Sequence, residues 1–226
     1  IINPTAQKNE CAVHIPEENG WTRQTVPHGR VWFKGFLFRG TGFLLGSRAA
    51  TDLDNAFRDV SSLDAVRQQA KDLDGHFAFV LQRGAIVVAL VDRIRSTPLF
   101  LGRGPKGWAL DACAGRLQQR LGLEEPNHDA GLALAMSGYT IGRETLFKRL
   151  IKLLPGECAL MEAGRDPRIR RYYVYAPWAP EPTFSGETGL EELEAATRRI
   201  QKRFIASLQG RQVLLPISGG LDSRLI

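Results

Sequence analysis

Short apolar runs bounded by turn residues fill most of the first 175 positions and predict a sheet-rich domain. One run, at 31–38, stands alone, whereas later runs come in pairs joined by polar or glycine-containing turns, as expected for β-hairpins. The paired strand predictions are 77–81 with 85–91, 99–101 with 108–110, and 158–161 with 169–174. The pattern therefore predicts mainly antiparallel sheet.

Apolar residues recur at helical spacing in three segments between those strands, at 63–73, 114–121 and 129–136. Helices interleaved with antiparallel strands favour layers of helix packed on sheet. The fold class predicted from the pattern is therefore α+β.

Proline marks the end of the first domain. The stretch 176–182 holds three prolines in seven residues, which cannot continue a helix or a central strand. We therefore predict a first domain at 1–175, a linker at 176–185, and the start of a second domain at 186–226. The second domain is predicted to open with a helix from Leu190 to Leu208, capped by Gly210, and then a strand at 212–217.

The chain has 226 residues, 43% of them hydrophobic, which is enough to bury a core. Its net charge of +6 raises the question of nucleic acid, but the basic residues are spread out and no RNA-binding motif accompanies them. We interpret a basic run in the last predicted helix as a solvated face; it comprises Arg198, Arg199, Lys202 and Arg203. Nucleic acid is not the favoured partner, although a tRNA-modifying enzyme stays an alternative.

The three cysteines, Cys11, Cys113 and Cys158, are too scattered for a disulfide framework and lack metal-ligand spacing. No apolar run reaches the roughly 18 residues that a membrane span needs. We therefore expect a cytoplasmic protein in a reducing compartment, with no membrane association. Because the chain starts at Ile1 and stops inside a predicted helix, we also expect it to be a fragment.

The most informative segment lies near the C-terminal end, where the last predicted strand runs into Ser218-Gly219-Gly220-Leu221-Asp222-Ser223. Adjacent glycines let backbone N–H groups converge on one anion, and a helix starting near Asp222 would add its positive end. The loop lacks the Gly-Lys-Ser/Thr of a Walker A motif, which favours release of pyrophosphate from ATP over transfer of the γ-phosphate. An ordinary Gly-Gly turn is the alternative interpretation.

Upstream of this loop, short motifs follow one another in a set order. They are Leu73–Phe79 (LDGHFAF), Val91–Arg93 (VDR), Thr97–Phe100 (TPLF), Gly138–Phe147 (GYTIGRETLF), Leu153–Glu157 (LLPGE) and Arg170–Tyr173 (RRYY). Together with the C-terminal loop, they resemble the asparagine synthetase family, in which a glutaminase-type domain precedes an ATP-using synthetase domain. The resemblance covers residues 73–226, and the order of the motifs is more specific than any one of them.

The resemblance implies an αββα sandwich of the Ntn-hydrolase type, followed by the first helix, strand and phosphate-binding loop (PP-loop) of an α/β nucleotide-binding domain. It also implies ATP and Mg²⁺ as cofactors, with Asp222 as a metal ligand. The ATP-binding residues that it implies are Leu215, Ser218, Gly219, Gly220, Leu221, Asp222 and Ser223. The reaction would be adenylation of a small-molecule or peptide carboxylate, followed by attack of ammonia or another amine. Neither substrate follows from the sequence, and a homodimer is as open as a monomer.

Whether the first domain hydrolyses glutamine is a separate question. Family members that do so use an N-terminal cysteine whose own α-amino group serves as the base, whereas this chain starts at Ile1. Cys11 is a weak candidate nucleophile, because it would need removal of ten residues. Lys34-Gly35 stands where the family has an Asn-Gly oxyanion element, and a flexible charged side chain is a poor substitute for a fixed amide donor. We therefore expect a glutaminase-like fold without glutaminase activity.

Two other hypotheses stay open at this point. In the first, processing to Cys11 yields an active glutaminase, and the parent protein is a glutamine-dependent asparagine synthase. In the second, the chain is a non-catalytic binding module.

Overall fold

A computed structural model of the chain describes residues 11–40, 42–59, 62–178 and 186–221. The chain divides into two compact units, Ile1–Val174 and Tyr175–Ile226. Each unit is described by itself, with strands and helices numbered in chain order.

The larger sheet of the first unit has seven strands. They are β2 (Thr22–Val26), β3 (Gly29–Arg39), β4 (Gly42–Leu45), β5 (Asp74–Arg83), β6 (Ile86–Val91), β10 (Glu157–Glu162) and β11 (Arg168–Arg171). Their order is β11-β10-β6-β5-β3-β2, and β4 pairs with the far end of β3. Every pair in this sheet is antiparallel, as the hairpin pattern of the sequence predicts.

Two helices, α1 (Gly46–Ala56) and α2 (Leu63–Lys71), cover one face of the large sheet. Phenylalanines dominate this interface: Phe33, Phe77 and Phe79 from the sheet pack with Phe57, which follows α1. Each of these four side chains is 1% exposed or less. Burial of such large apolar side chains is the main stabilising contribution of this layer.

The smaller sheet has four strands, β1 (Ala12–Val13), β7 (Phe100–Gly104), β8 (Gly107–Asp111) and β9 (Leu150–Lys152). Its order is β1-β8-β7-β9, and only the β1–β8 pair among the described strands is parallel. The two sheets pack face to face on a second core that contains Trp32, Val80 and Met161 from the large sheet and Leu101 and Leu110 from the small one.

Helix α3 (Ala114–Leu121) packs on the outer face of the small sheet through Leu117 and Leu121. The layers are therefore helix, sheet, sheet and helix, so the predicted α+β class and the αββα layering are observed. Helix α4 (His128–Ser137) follows α3 and buries only Ala130 among its residues.

Most predicted elements of the first unit are present, with shifts of a few residues at their ends. Helix α2 ends at Lys71 rather than at 73, and β11 ends at Arg171 rather than at 174. Helix α1 was not predicted, because its N-cap position is Leu45, which makes no side-chain capping bond, so no start signal precedes it. The short strands β1, β2, β4 and β9 were also missed.

The second unit contains helix α5 (Gly186–Leu208), where a helix was predicted, and Gly210 adopts a φ of +76° just after it. The predicted strand at 212–217 is wrong: residues 211–221 form neither strand nor helix, and Leu214 is 93% exposed. Within the described residues no strand lies beside this segment, so its N–H and C=O groups have no ladder to join. The predicted linker lies partly outside the described residues; its described part, 176–178, is irregular.

Candidate functional site

Buried carboxylates organise the first unit, and among the described residues there are four of them, each 1% exposed or less. They are Asp54, Asp92, Asp111 and Glu157. Three of the four pair with an arginine: Asp54 with Arg83 at 2.7 Å, Asp111 with Arg116 at 2.6 Å, and Glu157 with Arg143 at 2.6 Å. A buried charge of this kind costs stability unless it is paired and hydrogen-bonded. Asp92 is the exception. Among the described residues, only backbone N–H groups and one hydroxyl donate hydrogen bonds to its carboxylate.

Asp92 follows β6 and holds together the loop that leaves it. Its carboxylate accepts the backbone N–H of Phe77 at 3.0 Å and of Ile94 at 2.9 Å, together with the N–H and hydroxyl of Ser96. Its carbonyl oxygen accepts the N–H of Arg95 at 3.1 Å and of Gly156 at 2.9 Å. Asp92 thus fixes the 92–96 loop from inside and ties it to β5 and to the turn before β10.

The motifs that resemble the asparagine synthetase family meet at this residue. Phe77 belongs to LDGHFAF, Asp92 to VDR, and Gly156 to LLPGE. Tyr172 of RRYY donates its hydroxyl to the carbonyl oxygen next to Asp92, that of Val91, at 2.9 Å. Burial raises the pKa of this phenol, and the nearby Asp92 charge raises it further. Arg143 of GYTIGRETLF joins the network through Glu157. These motifs therefore all contribute to the hydrogen bonds that hold this region of the fold together.

The loop also carries two arginines that leave Asp92 unpaired. The Arg93 guanidinium lies 5.0 Å from the ring centroid of Tyr173 and donates to the carbonyl oxygen of Lys71 at 3.2 Å. The Arg95 guanidinium lies 5.8 Å from the ring centroid of Phe100. Arg95 adopts a φ of +57°, in the left-handed region that a side chain with a Cβ rarely occupies.

Lys152 lies on β9 directly opposite Phe100 of β7, whose ring lies under the Arg95 guanidinium. Its ammonium donates to the carbonyl oxygen of Thr140 at 2.9 Å and to the hydroxyl of Thr140 at 2.5 Å. Burial lowers the pKa of Lys152, and the charge of Arg95 lowers it further. Burial also lowers the pKa of Arg95. Arg95 and Lys152 are therefore two neighbouring cations that are partly shielded from water.

Lys34-Gly35, the counterpart of the expected oxyanion element, lies in the middle of β3, where Gly35 pairs with Phe77. Gly35 has a φ of +99°, and a Cβ there would lie 2.0 Å from the carbonyl oxygen of His76. The close approach of two backbones therefore requires glycine at this position. Lys34 is half-buried and passes close to Gly20.

Cys11 lies at the other end of the strands. It lines a cavity of about 120 Å³ together with Trp108 and Glu162. Glu162 pairs with Ile86, which pairs with Arg83, and Arg83 is six residues along β5 from Phe77, the partner of Gly35. Six residues of strand span about 20 Å. Cys11 and Gly35 are therefore not brought together.

The Cys11 thiol has the environment of a structural cysteine. It is 7% exposed, and burial raises its pKa, with a further rise from the Glu162 charge. A nucleophilic cysteine needs the opposite shift, because the thiolate is the reactive form. Nothing in this environment favours Cys11 as a nucleophile.

The C-terminal loop is described as far as Leu221, so Asp222 and Ser223 lie outside the described residues. The Ser218 hydroxyl accepts the N–H of Gly220 at 3.3 Å. Leu215 is 42% and Leu221 80% exposed. No atom of the described residues lies within 4 Å of a Cβ built on Gly219, so the described structure itself does not require glycine there.

Sequence reasoning missed a buried cluster that joins α1 to the large sheet. Asp54 accepts the Nδ1 of His28 at 2.9 Å and the guanidinium of Arg83 at 2.7 Å. Arg83 also donates to the last carbonyl groups of the helix region, those of Asp54, Phe57 and Arg58. Burial alone would raise the pKa of Asp54, but the hydrogen bonds from His28 and Arg83 outweigh it and hold that pKa below its usual range. The cluster caps a helix.

The described part of the chain contains no group of three or more His, Cys, Asp or Glu side chains arranged to hold a metal ion. None of the described helices combines the length and the hydropathy needed to cross a membrane. The candidate site of the first unit is therefore the Asp92 loop with its two arginines and Lys152.

The chain resembles known proteins only distantly. No protein-family model and no curated sequence matches the chain. Among solved structures, the chain is similar to glutamine phosphoribosylpyrophosphate amidotransferase from B. subtilis complexed with ADP and GMP, at 13% identity and a TM-score of 0.37. A second structure, of the allosteric regulatory enzyme of purine biosynthesis, is similar at 12% identity and a TM-score of 0.38.

Each similarity covers 69% of this chain and 31% of the other, so the chain spans about a third of the length of these proteins. At these TM-scores the similarity is too weak to support an assignment of function.

Proposed function

We propose that the chain is part of an ATP-dependent amide ligase of the asparagine synthase type, which adenylates a carboxylate and lets an amine attack the acyl-adenylate. The observation that carries this proposal is the meeting of Phe77, Asp92 and Gly156, from three separate motifs, in one hydrogen-bond network. Accidental matches to a family pattern have no reason to converge in space. The network supports the view that the resemblance extends to the fold, and the C-terminal loop supplies the link to ATP.

The described residues of the C-terminal loop fit a pyrophosphate cradle in one respect. No described residue packs against Gly219, which leaves its backbone open to close approach by a ligand. In the proposal, the backbone N–H groups of Gly219 and Gly220 and the hydroxyl of Ser218 bind the pyrophosphate portion of ATP. Leu215 lies toward the adenosine, and Asp222 with Ser223 completes the loop. Mg²⁺, held by Asp222, supplies charge neutralisation for the leaving pyrophosphate.

The amine is proposed to come from a source other than glutamine hydrolysed at Cys11. Cys11 is buried, its pKa is raised, and it lies about six strand residues from Gly35. The first unit then acts as a glutaminase-like scaffold without that activity. The structure gives no support to the alternative of a glutamine-dependent enzyme processed to Cys11.

The proposal is tested by titrating Mg·ATP into the protein as isolated from its source cells, followed by calorimetry. We expect saturable binding that Asp222→Asn weakens at least tenfold, because one metal ligand is lost. Asp166→Asn is the matched control, since it removes an exposed carboxylate of the first unit. Absence of ATP binding, or equal affinities for the two variants, would contradict the proposal.

A further inference from the structure

Arg95 differs from the three arginines that pair with the other buried carboxylates. Arg83, Arg116 and Arg143 each place their guanidinium on the buried acid of their own region. Arg95 follows Asp92 by three residues, yet only its backbone N–H contacts that residue. Within the described residues, no hydrogen-bond acceptor or carboxylate meets its guanidinium.

The guanidinium is not simply in water. Its Nε is buried and has no hydrogen-bond partner among the described residues, a property that it shares with Arg83 and Arg93; those two, however, donate other guanidinium N–H groups to protein acceptors. An arginine on an open surface would extend its head into solvent. A buried and unsatisfied donor costs stability, and a charged one costs more. Among the described residues, the contact with the Phe100 ring offsets part of this cost, but no hydrogen bond or ion pair of the guanidinium does.

The backbone holds Arg95 in this position. Its φ of +57° lies in the left-handed region, where a residue with a Cβ is strained by about 1 kcal/mol or more. Asp92 enforces that conformation by accepting the N–H groups of Ile94, Arg95 and Ser96. Strained positions that the surrounding structure fixes are concentrated at binding sites.

Lys152 adds a second cation at the same place. It lies beside Phe100, whose ring Arg95 covers, and its only described polar partner is Thr140, which is neutral. Two adjacent positive charges repel each other, and among the described residues neither forms an ion pair with a carboxylate. An anion placed between them would bind both and remove the repulsion.

We propose that Arg95 and Lys152 form a binding site for a small ligand through its oxyanion, a phosphate or a carboxylate group. The planar fork of a guanidinium matches the geometry of both groups, and the ammonium adds a point charge. The proposed site belongs to the first unit of the chain, whereas the proposed ATP loop belongs to the second. It is also distinct from Cys11, which lies at the opposite end of the strands.

The surroundings indicate that the ligand has an apolar part. Ile94 precedes Arg95 in sequence, and Tyr139 and Ile141 flank Thr140, the partner of Lys152; the three side chains are 65%, 65% and 66% exposed. Exposed apolar side chains beside a charged anchor are typical of ligand sites. The site therefore fits an organic anion better than a free inorganic ion.

The test uses inorganic phosphate and succinate as separate probes, at constant ionic strength with chloride as the balancing anion. Binding is followed by the shift of Tm and by calorimetry. We expect saturable binding of at least one probe, weakened tenfold or more by Lys152→Gln and by Arg95→Gly. Lys106→Gln is the matched control, because it removes an exposed charge elsewhere and is expected to leave the affinity unchanged.

Arg95→Gly separates binding from folding. Glycine adopts positive φ without strain, so this variant is expected to keep or raise the Tm of the ligand-free protein while losing the probe. Binding of phosphate alone would identify a phosphorylated ligand, and binding of succinate alone a carboxylate. Failure of both probes to bind the wild type, or affinities unchanged in both Arg95→Gly and Lys152→Gln, would overturn the proposal.

Discussion

The backbone N–H of Gly156 donates to the backbone carbonyl oxygen of Asp92 at 2.9 Å, which joins the end of β6 to the turn that starts β10. These residues are far apart in sequence, and each lies in a separate motif. Because Asp92 also binds β5 through Phe77, it connects strands of the large sheet at one point. The stability of the first unit should therefore depend on Asp92 more than on any surface acid.

Replacing Asp92 with Asn tests this role. Asn keeps one acceptor oxygen but turns an NH₂ group toward N–H donors, so at least one buried donor loses its partner. We expect the free energy of unfolding to fall by about 3 kcal/mol. Urea denaturation measures it, with Asp166→Asn as the surface control, expected to change stability by less than about 1 kcal/mol. A loss for Asp92→Asn as small as that of the control would show that the network is unimportant.

Asp54 gives a prediction for pH dependence. Its pKa in the folded protein is lowered, so its contribution to stability is present above the pKa of the unfolded state and is lost as the pH falls through the folded value. We expect Asp54→Asn to cost about 3–5 kcal/mol at neutral pH, because Arg83 loses its buried partner. The difference between wild type and variant should shrink once the pH drops below 3.8, the ordinary pKa of an aspartate. A difference that is constant from pH 7 to pH 2 would contradict this assignment.

Gly35 and Gly115 form a matched pair for testing the close approach of β3 and β5. A Cβ at Gly35 would lie 2.0 Å from the carbonyl oxygen of His76, whereas one at Gly115 in α3 meets no atom within 4 Å. We expect Gly35→Ala to destabilise the fold by more than about 2 kcal/mol. Gly115→Ala should be neutral or stabilise it by up to about 1 kcal/mol. Thermal unfolding of the two variants checks this, and equal Tm values would refute the geometry.

The three cysteines should differ in reactivity. Cys113 is exposed, whereas Cys11 and Cys158 are buried, and burial raises the pKa of Cys158 to about 11. Because the thiolate is the reactive form, we expect one fast thiol in the native protein at pH 8 and two slow ones. A colorimetric disulfide reagent measures the phases, and Cys113→Ser should remove the fast phase. A fast phase that persists in this variant would mean that Cys11 or Cys158 is more reactive than its burial implies.

Much of the first unit could be predicted from the sequence, because its hairpins and helices follow from the pattern of residues within each segment. The hairpin of β5 and β6 shows as two apolar runs around Gly84, and α3 follows from helical spacing alone. The strand at 212–217 was wrong because apolar composition does not say whether a partner strand lies alongside. Strand formation depends on that partner.

The contacts of the site residues also could not be predicted from local sequence patterns. Asp92 was part of a recognised motif, but its role depends on Phe77 and Gly156, which no local pattern connects to it. No sequence pattern pointed to Arg95, because its positive φ and its unpaired guanidinium arise only in the folded structure. The clusters of Asp54 with Arg83 and of Glu157 with Arg143 were missed for the same reason.

The central claim is that the parent protein activates a carboxylate by adenylation, and the fate of ATP tests it most directly. The protein as isolated from its source cells is incubated with Mg·ATP, a mixture of small-molecule and peptide carboxylates, and hydroxylamine, a nucleophile that traps acyl-adenylates. We expect AMP and pyrophosphate in equal amounts, formed only when carboxylates are present and reduced in Asp222→Asn. Formation of ADP and phosphate, or no cleavage of ATP with any carboxylate, would contradict it.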